Sequence, residues 1–167
     1  MSFSTPRAVN QGPYRFDDDT WLEVPTQIAD RARPVRPTES AGFWAGLGRG
    51  QILFDRCVEC RRYTHYPVGH CQWCGNSVDP EEVSGHAIVN TFAPCYMDFA
   101  PGMPVPYCVA IVNPLCEPGI QLMTNIVNCR ISEVWIGMPV VPVIVRDGDT
   151  ALLFYQPTRT ARRPGPE

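Results

Sequence analysis

The second half of the chain alternates apolar and polar residues in short runs, which is the pattern of half-buried β-strands. Five runs rich in Val, Ile, Thr, Phe and Tyr follow one another: HAIVNTFA, PYCVAIVN, QLMTNIVN, VVPVIV and ALLFYQ. Pro, Gly and Asp separate them, in segments such as APGMPVP and NPLCEPG. Five short strands in sequence predict a small β-barrel.

The connections between these runs indicate the topology of the barrel. RISEVWIGMP, between the third and fourth runs, is longer than a hairpin turn and predicts a short helical crossover capped by Ser132. A tight Asp147-Gly148 turn joins the last two runs. This order predicts a five-stranded Greek-key barrel of the OB type over residues 81–156. Pro142 in the fourth run indicates an edge or a bulge, which a partly open barrel accommodates.

A helical period precedes the strands, in PTESAGFWAGLGRG at residues 37–50. Phe43, Trp44 and Leu47 form one apolar face, and Gly50 is the predicted stop. The glycines inside this segment lower its intrinsic helicity, so the short helix is expected to need packing. The sequence leaves two alternatives for the aromatic pair Phe43 and Trp44: it packs into the core of the protein itself, or it packs against a partner.

The two ends of the chain have weaker patterns. Residues 1–36 hold few apolar anchors, and we interpret them as a partly helical N-terminal extension. Its acidic run Asp17-Asp18-Asp19 is interpreted as a helix start, because carboxylates favour the positive end of a helix dipole. Residues 157–167 show no periodicity and are expected to form a flexible tail.

The strongest chemical signal is CVECRRYTHYPVGHCQWCG, in which ten residues separate two Cys-x-x-Cys pairs. In each pair, the two-residue gap lets both sulfurs face one ion, and turn amides can donate to the thiolates. The sequence therefore predicts that one structural zinc joins four ligands in a zinc ribbon over residues 51–80, namely Cys57, Cys60, Cys71 and Cys74.

The alternatives to zinc rest on the same cysteines. A dithiol redox site normally has one Cys-x-x-Cys at a helix start, whereas here two pairs lie in a loop-rich stretch. A rubredoxin-type iron centre uses the same four cysteine ligands, so the sequence does not distinguish iron from zinc. Four thiolates leave no vacancy for His65 or His70, so both are expected to face solvent, and no position remains for the water of a hydrolytic zinc.

Other reactive groups do not combine into a catalytic set in the sequence. Cys95, Cys108, Cys116 and Cys129 share no spacing, and Cys108 and Cys129 lie in or beside strand runs where a thiol is usually a small buried hydrophobe. His86 is the one histidine outside the ribbon. No catalytic residue is assigned.

Composition limits the class of protein and the compartment in which it is expected. The chain has 167 residues, 44% of them hydrophobic and 19% charged, with a net charge of -3, and no apolar run long enough to cross a membrane. The first residues show no secretory signal, so a reducing cytoplasm is expected and disulfides are disfavoured.

A zinc ribbon followed by an OB barrel also suggests single-stranded nucleic-acid binding, which is the alternative function. Between residues 83 and 156 two arginines face five acidic residues, so this region has no positive track for a phosphate backbone. The ribbon has a net charge of only +1, from three arginines and two acidic residues. Nucleic acid is therefore disfavoured as a partner.

The order of parts resembles a bacterial and archaeal family, catalogued as domain of unknown function family 35. The resemblance covers about residues 38–155 and rests on Phe43-Trp44, the four cysteines, the strand ending in Thr91-Phe92, and IGMPV at 136–140. It implies a mainly β fold with short N-terminal helices, a rubredoxin-like zinc ribbon and a C-terminal OB fold.

The resemblance also implies a function. Members are associated with acyl-CoA metabolism, and several are small partner subunits of thiolases, acyltransferases or steroid side-chain aldolases. In those assemblies the thiolase-like partner carries the catalytic residues. The chain is thus expected to be a non-catalytic accessory subunit in a hetero-oligomer, with acyl-CoA near the shared interface. Arg61-Arg62 replaces the usual Gly after the first knuckle, and no CoA-contacting residue is carried over.

Overall fold

The computed structural model describes residues 17–25, 28, 36–99 and 104–163 of the chain. These residues form a mainly β fold with one short α-helix. Short 3₁₀ turns occupy Thr38–Ser40 and Ile131–Glu133. The elements are β1 (Trp21–Leu22), α1 (Ala41–Arg49), β2 (Ile52–Cys57), β3 (Tyr63–Thr64), β4 (Val78–Val83), β5 (Ala87–Cys95), β6 (Tyr107–Pro114), β7 (Leu122–Ile126), β8 (Cys129–Arg130), β9 (Pro139–Asp147) and β10 (Thr150–Pro157).

Five strands close into a barrel in the order β10-β7-β6-β5-β9, which confirms the predicted OB-type architecture. Neighbours are antiparallel except β10 and β7, which meet in parallel where Tyr155 pairs with Ile126. The barrel closes although the sequence suggested a partly open one. Pro142 pairs with Tyr155 of β10 and lies beyond the two residues of β9 that pair with β5, so its missing amide breaks no ladder there.

The barrel core follows from strand alternation. In β6 every second residue is buried, beginning with Cys108, Ala110 and Val112. These side chains point into one core with residues of the other barrel strands and of α1, because successive side chains on a strand face opposite sides. A register shift between Val89 and Thr91 adds a bulge that bends β5 around the barrel.

A separate three-stranded sheet, in the order β3-β2-β4, forms the ribbon. Its central strand β2 pairs antiparallel with both neighbours and ends at Cys57. Helix α1 leads directly into β2. Gly50 ends the helix with φ +83°, and Leu47 on its inner face is fully buried, as the helical period predicted.

The acidic run does not start a helix, so that prediction was wrong. Residues 17–20 lead into strand β1, which pairs with β8. The carboxylate of Asp18 accepts a hydrogen bond from the Thr20 amide at 2.8 Å, and Asp19 Oδ1 accepts one from Ser132 Oγ at 2.6 Å. The run therefore forms a local turn tied to a distant segment, because side-chain acceptors compete with the helical backbone pattern.

The crossover before β9 is one 3₁₀ turn, and Arg130 rather than Ser132 is its N-cap. The Glu133 carboxylate accepts the Arg130 amide at 2.8 Å, while the hydroxyl of Ser132 is engaged by Asp19. After β10, the Thr158 amide donates to the Pro139 carbonyl oxygen at 3.0 Å. The rest of the predicted tail, residues 164–167, and most of the N-terminal extension lie outside the described residues.

Candidate metal centre

The ribbon brings the sulfurs of all four predicted ligands together. The Sγ atoms of Cys57, Cys60, Cys71 and Cys74 lie within 4.8 Å of one another. The distance from Cys57 Sγ to Cys74 Sγ is 3.5 Å, and that from Cys60 Sγ to Cys71 Sγ is 3.6 Å. A tetrahedral ion with metal–sulfur bonds of about 2.3 Å requires sulfurs about 3.8 Å apart. The four thiols thus fit a tetrahedral metal ion.

Each knuckle is a tight turn closed by backbone hydrogen bonds. The Cys57 amide donates to the Arg62 carbonyl at 2.9 Å, and the Cys71 amide donates to the Asn76 carbonyl at 2.8 Å. Arg61 and Gly75 take equivalent left-handed positions, with φ of 60° and 77°. Arg61 therefore adopts a conformation that glycine accepts at lower cost. It follows Cys60 just as Gly75 follows Cys74, so the two residues occupy matching positions in the two Cys-x-x-Cys turns.

Amide groups lie close to three of the four sulfurs. The fourth differs: the pKa of Cys60 is raised to about 12 despite a backbone hydrogen bond from Arg62, because burial and the three neighbouring thiols disfavour its charged form. The Cys60 amide lies 3.4 Å from Cys57 Sγ, and the Trp73 amide lies 3.4 Å from Cys71 Sγ. Hydrogen bonds from the backbone and side-chain amides of Asn76 lower the pKa of Cys74 to about 6. Such donors stabilise the deprotonated ligands that a metal needs. The full sulfur set leaves no position for a reactive water, so a metal held here is structural.

The two ribbon histidines differ from each other. His70 is exposed, as predicted, whereas the prediction of a solvent-facing His65 was wrong. The ring of His65 lies 5.0 Å from the rings of both Phe43 and Phe54. This burial lowers the pKa of His65 to about 4, so the side chain is neutral at pH 7 and holds α1 against β2 rather than binding the metal.

An ion pair fixes the ribbon to the barrel. Arg62 donates to both carboxylate oxygens of Glu117, at 3.1 and 3.3 Å, and its guanidinium stacks 3.5 Å from the ring centroid of Trp73. This pairing lowers the pKa of Glu117. The Arg62 side chain therefore joins the second knuckle to the loop after β6, a link that its position in the sequence does not reveal.

The ribbon arginines are all engaged within the protein. Arg56 and Arg61 both approach Glu81, at 2.6 and 3.7 Å, and Arg62 pairs with Glu117. A phosphate backbone would have to displace these carboxylates. The pairing therefore weakens the nucleic-acid interpretation beyond the net charge alone.

The remaining cysteines are dispersed. Cys108 and Cys129 are buried, and burial raises the pKa of each to about 12, so both are inert small hydrophobes as predicted. Cys95 donates to the nearby Ala93 carbonyl oxygen, and Cys116 is exposed. His86 is also exposed. Within the described ranges, these groups form no nucleophile–base pair.

The aromatic pair on α1 is half-buried and packs against the protein's own core. Phe43 and Trp44 contact each other edge to face at 5.2 Å between ring centroids. Both also line a cavity that opens to solvent, so the pair contributes to the core and to the surface.

Among the described helices, none has the length and apolar character needed to cross a membrane.

Comparison with known proteins begins with the barrel. A family model described as the ChsH2 C-terminal OB-fold domain matches residues 80–145. A solved structure described as "Ltp2-ChsH2(DUF35) aldolase" resembles the chain with a TM-score of 0.68 and 28% identity, covering 75% of this chain and 98% of that one. The chain is similar to the DUF35 family of ChsH2-like proteins. A second DUF35 structure, from Sulfolobus solfataricus, shares the fold at a TM-score of 0.54 and 16% identity, covering 72% of this chain and 86% of that one.

Two curated relatives of this chain are named as hydratase subunits. A probable enoyl-CoA hydratase alpha subunit of Thermomonospora curvata is 31% identical over 112 residues, or 66% of this chain and 34% of the relative. A 3-oxo-4,17-pregnadiene-20-carboxyl-CoA hydratase alpha subunit of Mycobacterium tuberculosis is 28% identical over 127 residues, covering 75% of this chain and 40% of the relative. The chain thus spans between a third and two fifths of their length.

Proposed function

We propose that this protein is a non-catalytic accessory subunit of a thiolase-like enzyme that acts on acyl-CoA esters in a bacterial cytoplasm. One observation carries the proposal: the similarity extends over 98% of a chain described as part of an Ltp2-ChsH2(DUF35) aldolase. That description pairs a DUF35 component with a second named component.

The chemistry of the described residues supports a non-catalytic role. The four ribbon sulfurs leave a bound metal without an open position, and His65 is neutral and enclosed by aromatic rings. The proposed role of the subunit is to stabilise the catalytic partner and to contribute to the CoA entrance. The ribbon, α1 and the barrel share one core, so their surfaces are presented in fixed positions.

We further propose that the ion is zinc, with one per chain held by Cys57, Cys60, Cys71 and Cys74. Metal analysis of purified protein should give about one zinc per chain. Cys57→Ser should lose the metal and the folded ribbon, since binding at such sites contributes on the order of 10 kcal/mol to folding. Cys116→Ser is the matched control, because this exposed thiol lies outside the cluster. A folded wild-type protein without metal would contradict the assignment, and iron would correct it.

The accessory role is tested by affinity capture from the native host under mild conditions. We expect a thiolase-like protein at equal stoichiometry, which native mass spectrometry measures. Recovery of RNA or DNA would replace this function with the nucleic-acid alternative. A chain that turns over acyl-CoA esters alone would contradict the non-catalytic assignment.

A second candidate function is membership of an enoyl-CoA hydratase complex. The names of the two curated relatives favour it, although most of the length of each lies outside the match. The same capture experiment separates the candidates, because this function predicts a hydratase subunit in place of the thiolase-like protein. Hydration of an enoyl-CoA by the captured complex would support it directly.

A further inference from the structure

A groove with a volume of about 180 Å³ lies between strand β1 and the barrel. Its walls come from the segments 20–25 and 104–107, the end of β7, and Phe154 of β10. Two of its side chains are exposed, with 51% of Trp21 and 44% of Val105 accessible to solvent. We name this feature the β1 groove.

The loop that lines the β1 groove also carries other exposed apolar side chains. In this connection between β5 and β6, Met97 is 64% exposed and Phe99 is 69% exposed. The hydroxyl of Tyr96 donates to Asp18 Oδ2 at 2.7 Å, which ties the loop to the segment before β1. Exposed apolar surface with a polar rim marks a site of protein–protein contact. We therefore expect a partner to cover the β1 groove.

The two segments that flank the β1 groove are acidic. Residues 17–25 contain four carboxylates, residues 95–107 contain Asp98, and neither segment has a Lys or an Arg. The lining of the groove has one charged residue, Glu23, and its side chain is exposed. The charge of this surface thus favours a cationic partner.

Glu23 is placed to bind such a cation. Trp21, Leu22 and Glu23 are in turn exposed, buried and exposed, so Trp21 and Glu23 lie on the same outer side of this segment. Among the residues that the structure describes, none forms a hydrogen bond or an ion pair with the Glu23 carboxylate. Arg130, which lies opposite Trp21 in the pairing of β1 with β8, donates to the Asp19 carbonyl oxygen at 2.9 Å. A purely apolar partner would bury the Glu23 charge without a counter-ion, at a high desolvation cost.

We propose that the β1 groove receives one arginine side chain from the catalytic subunit, as an anchor of the complex. A guanidinium can stack on the exposed ring of Trp21 while it pairs with Glu23, and its stem can pack against Val105. Lysine is disfavoured because its compact, strongly hydrated ammonium does not stack as a plane. The volume of about 180 Å³ suits one side chain, since small-molecule sites occupy about 300–1,000 Å³. The inference rests on the proposed function for the identity of the partner.

The chemical preference is tested on the free chain at low ionic strength. Propylguanidinium, an analogue of the arginine side chain, should shift the NMR signal of the Trp21 indole N–H. It should bind at least about fivefold more tightly than propylurea, a neutral analogue of similar shape, which is the value of one exposed ion pair with one cation–π contact. Glu23→Gln should remove this preference, whereas Glu39→Gln, at an exposed carboxylate before α1, should not. Equal binding of the two compounds, or shifts confined to other tryptophans, would overturn the proposed preference.

The anchor is tested in the complex with two matched substitutions. Calorimetry with the thiolase-like subunit should show a Kd raised at least about 30-fold by Glu23→Ala, because this change leaves a buried guanidinium without its counter-ion. Glu39→Ala removes the same exposed charge elsewhere and should raise the Kd by less than about threefold. Both variants should fold and hold zinc as the wild type does, since both side chains are exposed in the free chain.

The outcomes separate the inference from the function on which it rests. Equal affinities of wild type and Glu23→Ala, or a larger effect of Glu39→Ala, would overturn the anchor while leaving the accessory role intact. A wild-type chain that binds no thiolase-like subunit would overturn the proposed function and the identity of the donor. Self-association of the free chain that Glu23→Ala abolishes would assign the groove to a second copy and overturn the proposal.

Arginines of the chain itself are tested as occupants in the same way. Four of them lie outside the described residues, namely Arg7, Arg15, Arg31 and Arg33. Replacement of all four by Gln should leave the affinity for propylguanidinium unchanged. Binding that becomes more than about fivefold tighter would show that one of these arginines occupies the groove, and would overturn the proposal.

Discussion

The junction between ribbon and barrel depends on a glycine that no other residue replaces without cost. Gly85 is buried between β4 and β5, with φ +69°. A Cβ added there would overlap Cδ1 of Ile52 and approach Cγ of Pro142 to 3.1 Å. Ile52 belongs to the ribbon and Pro142 to the barrel. Gly85→Ala therefore perturbs the contact between the two modules.

The expected magnitude has two parts. A left-handed backbone costs a residue with a Cβ about 1–2 kcal/mol, and overpacking of a core contact adds about 1–3 kcal/mol. The free energy of unfolding should therefore fall by about 2–5 kcal/mol. Gly50→Ala is the matched control, because Gly50 has φ +83° and no atom within 4 Å of its added Cβ. That variant should lose the backbone part alone.

The assay is urea unfolding of both variants and wild type with saturating zinc, followed by tryptophan fluorescence. The m-value should stay unchanged, since the same surface is exposed on unfolding. Gly85→Ala should be less stable than Gly50→Ala by at least about 1 kcal/mol. Equal stabilities of the two variants would refute the close packing of the ribbon against the barrel at this position.

Three further predictions concern polar groups. Because the pKa of His65 falls from 6.5 to about 4 on folding, the unfolded state binds the proton first, so stability should drop by about 3 kcal/mol between pH 6.5 and 4; titrated urea unfolding should show a flatter profile for His65→Phe. Tyr155→Phe removes a buried hydroxyl that has no hydrogen-bond partner, so calorimetric melting of the free chain should show no loss of stability. A loss above about 1 kcal/mol would contradict this, because it would mean that the hydroxyl does form a hydrogen bond. Glu117→Gln should speed zinc transfer to a chelator up to about fivefold by weakening the tie to Arg62, whereas Glu82→Gln should not.

The parts of the structure that the sequence predicted are those with local signals. The five barrel strands were predicted from short runs of strand-forming residues, and the alternation of buried positions is most regular in β6, where Cys108, Ala110 and Val112 are buried. The ligand cluster follows from two short spacings, since each knuckle is a turn of a few residues. Helix α1 was predicted from one buried face and a terminal glycine.

Contacts between segments that are distant in the sequence determine the features that the sequence did not predict. The acidic run met Ser132 and Tyr96 from distant segments, and those hydrogen bonds favoured an extended path over a helix. His65 was expected in solvent because four thiolates leave it no place as a metal ligand, but it packs against the aromatic rings of Phe43 and Phe54. Neither set of neighbours can be recognised from spacing along the chain.

The most direct test of the central claim is a titration of enzymatic activity. The thiolase-like subunit is held at fixed concentration with an acyl-CoA ester substrate, and the zinc-loaded chain is added in steps. The accessory role predicts no turnover by the chain alone and an activity that rises to a plateau at one chain per catalytic subunit. Turnover by the chain alone, or activity indifferent to its addition, would contradict the account.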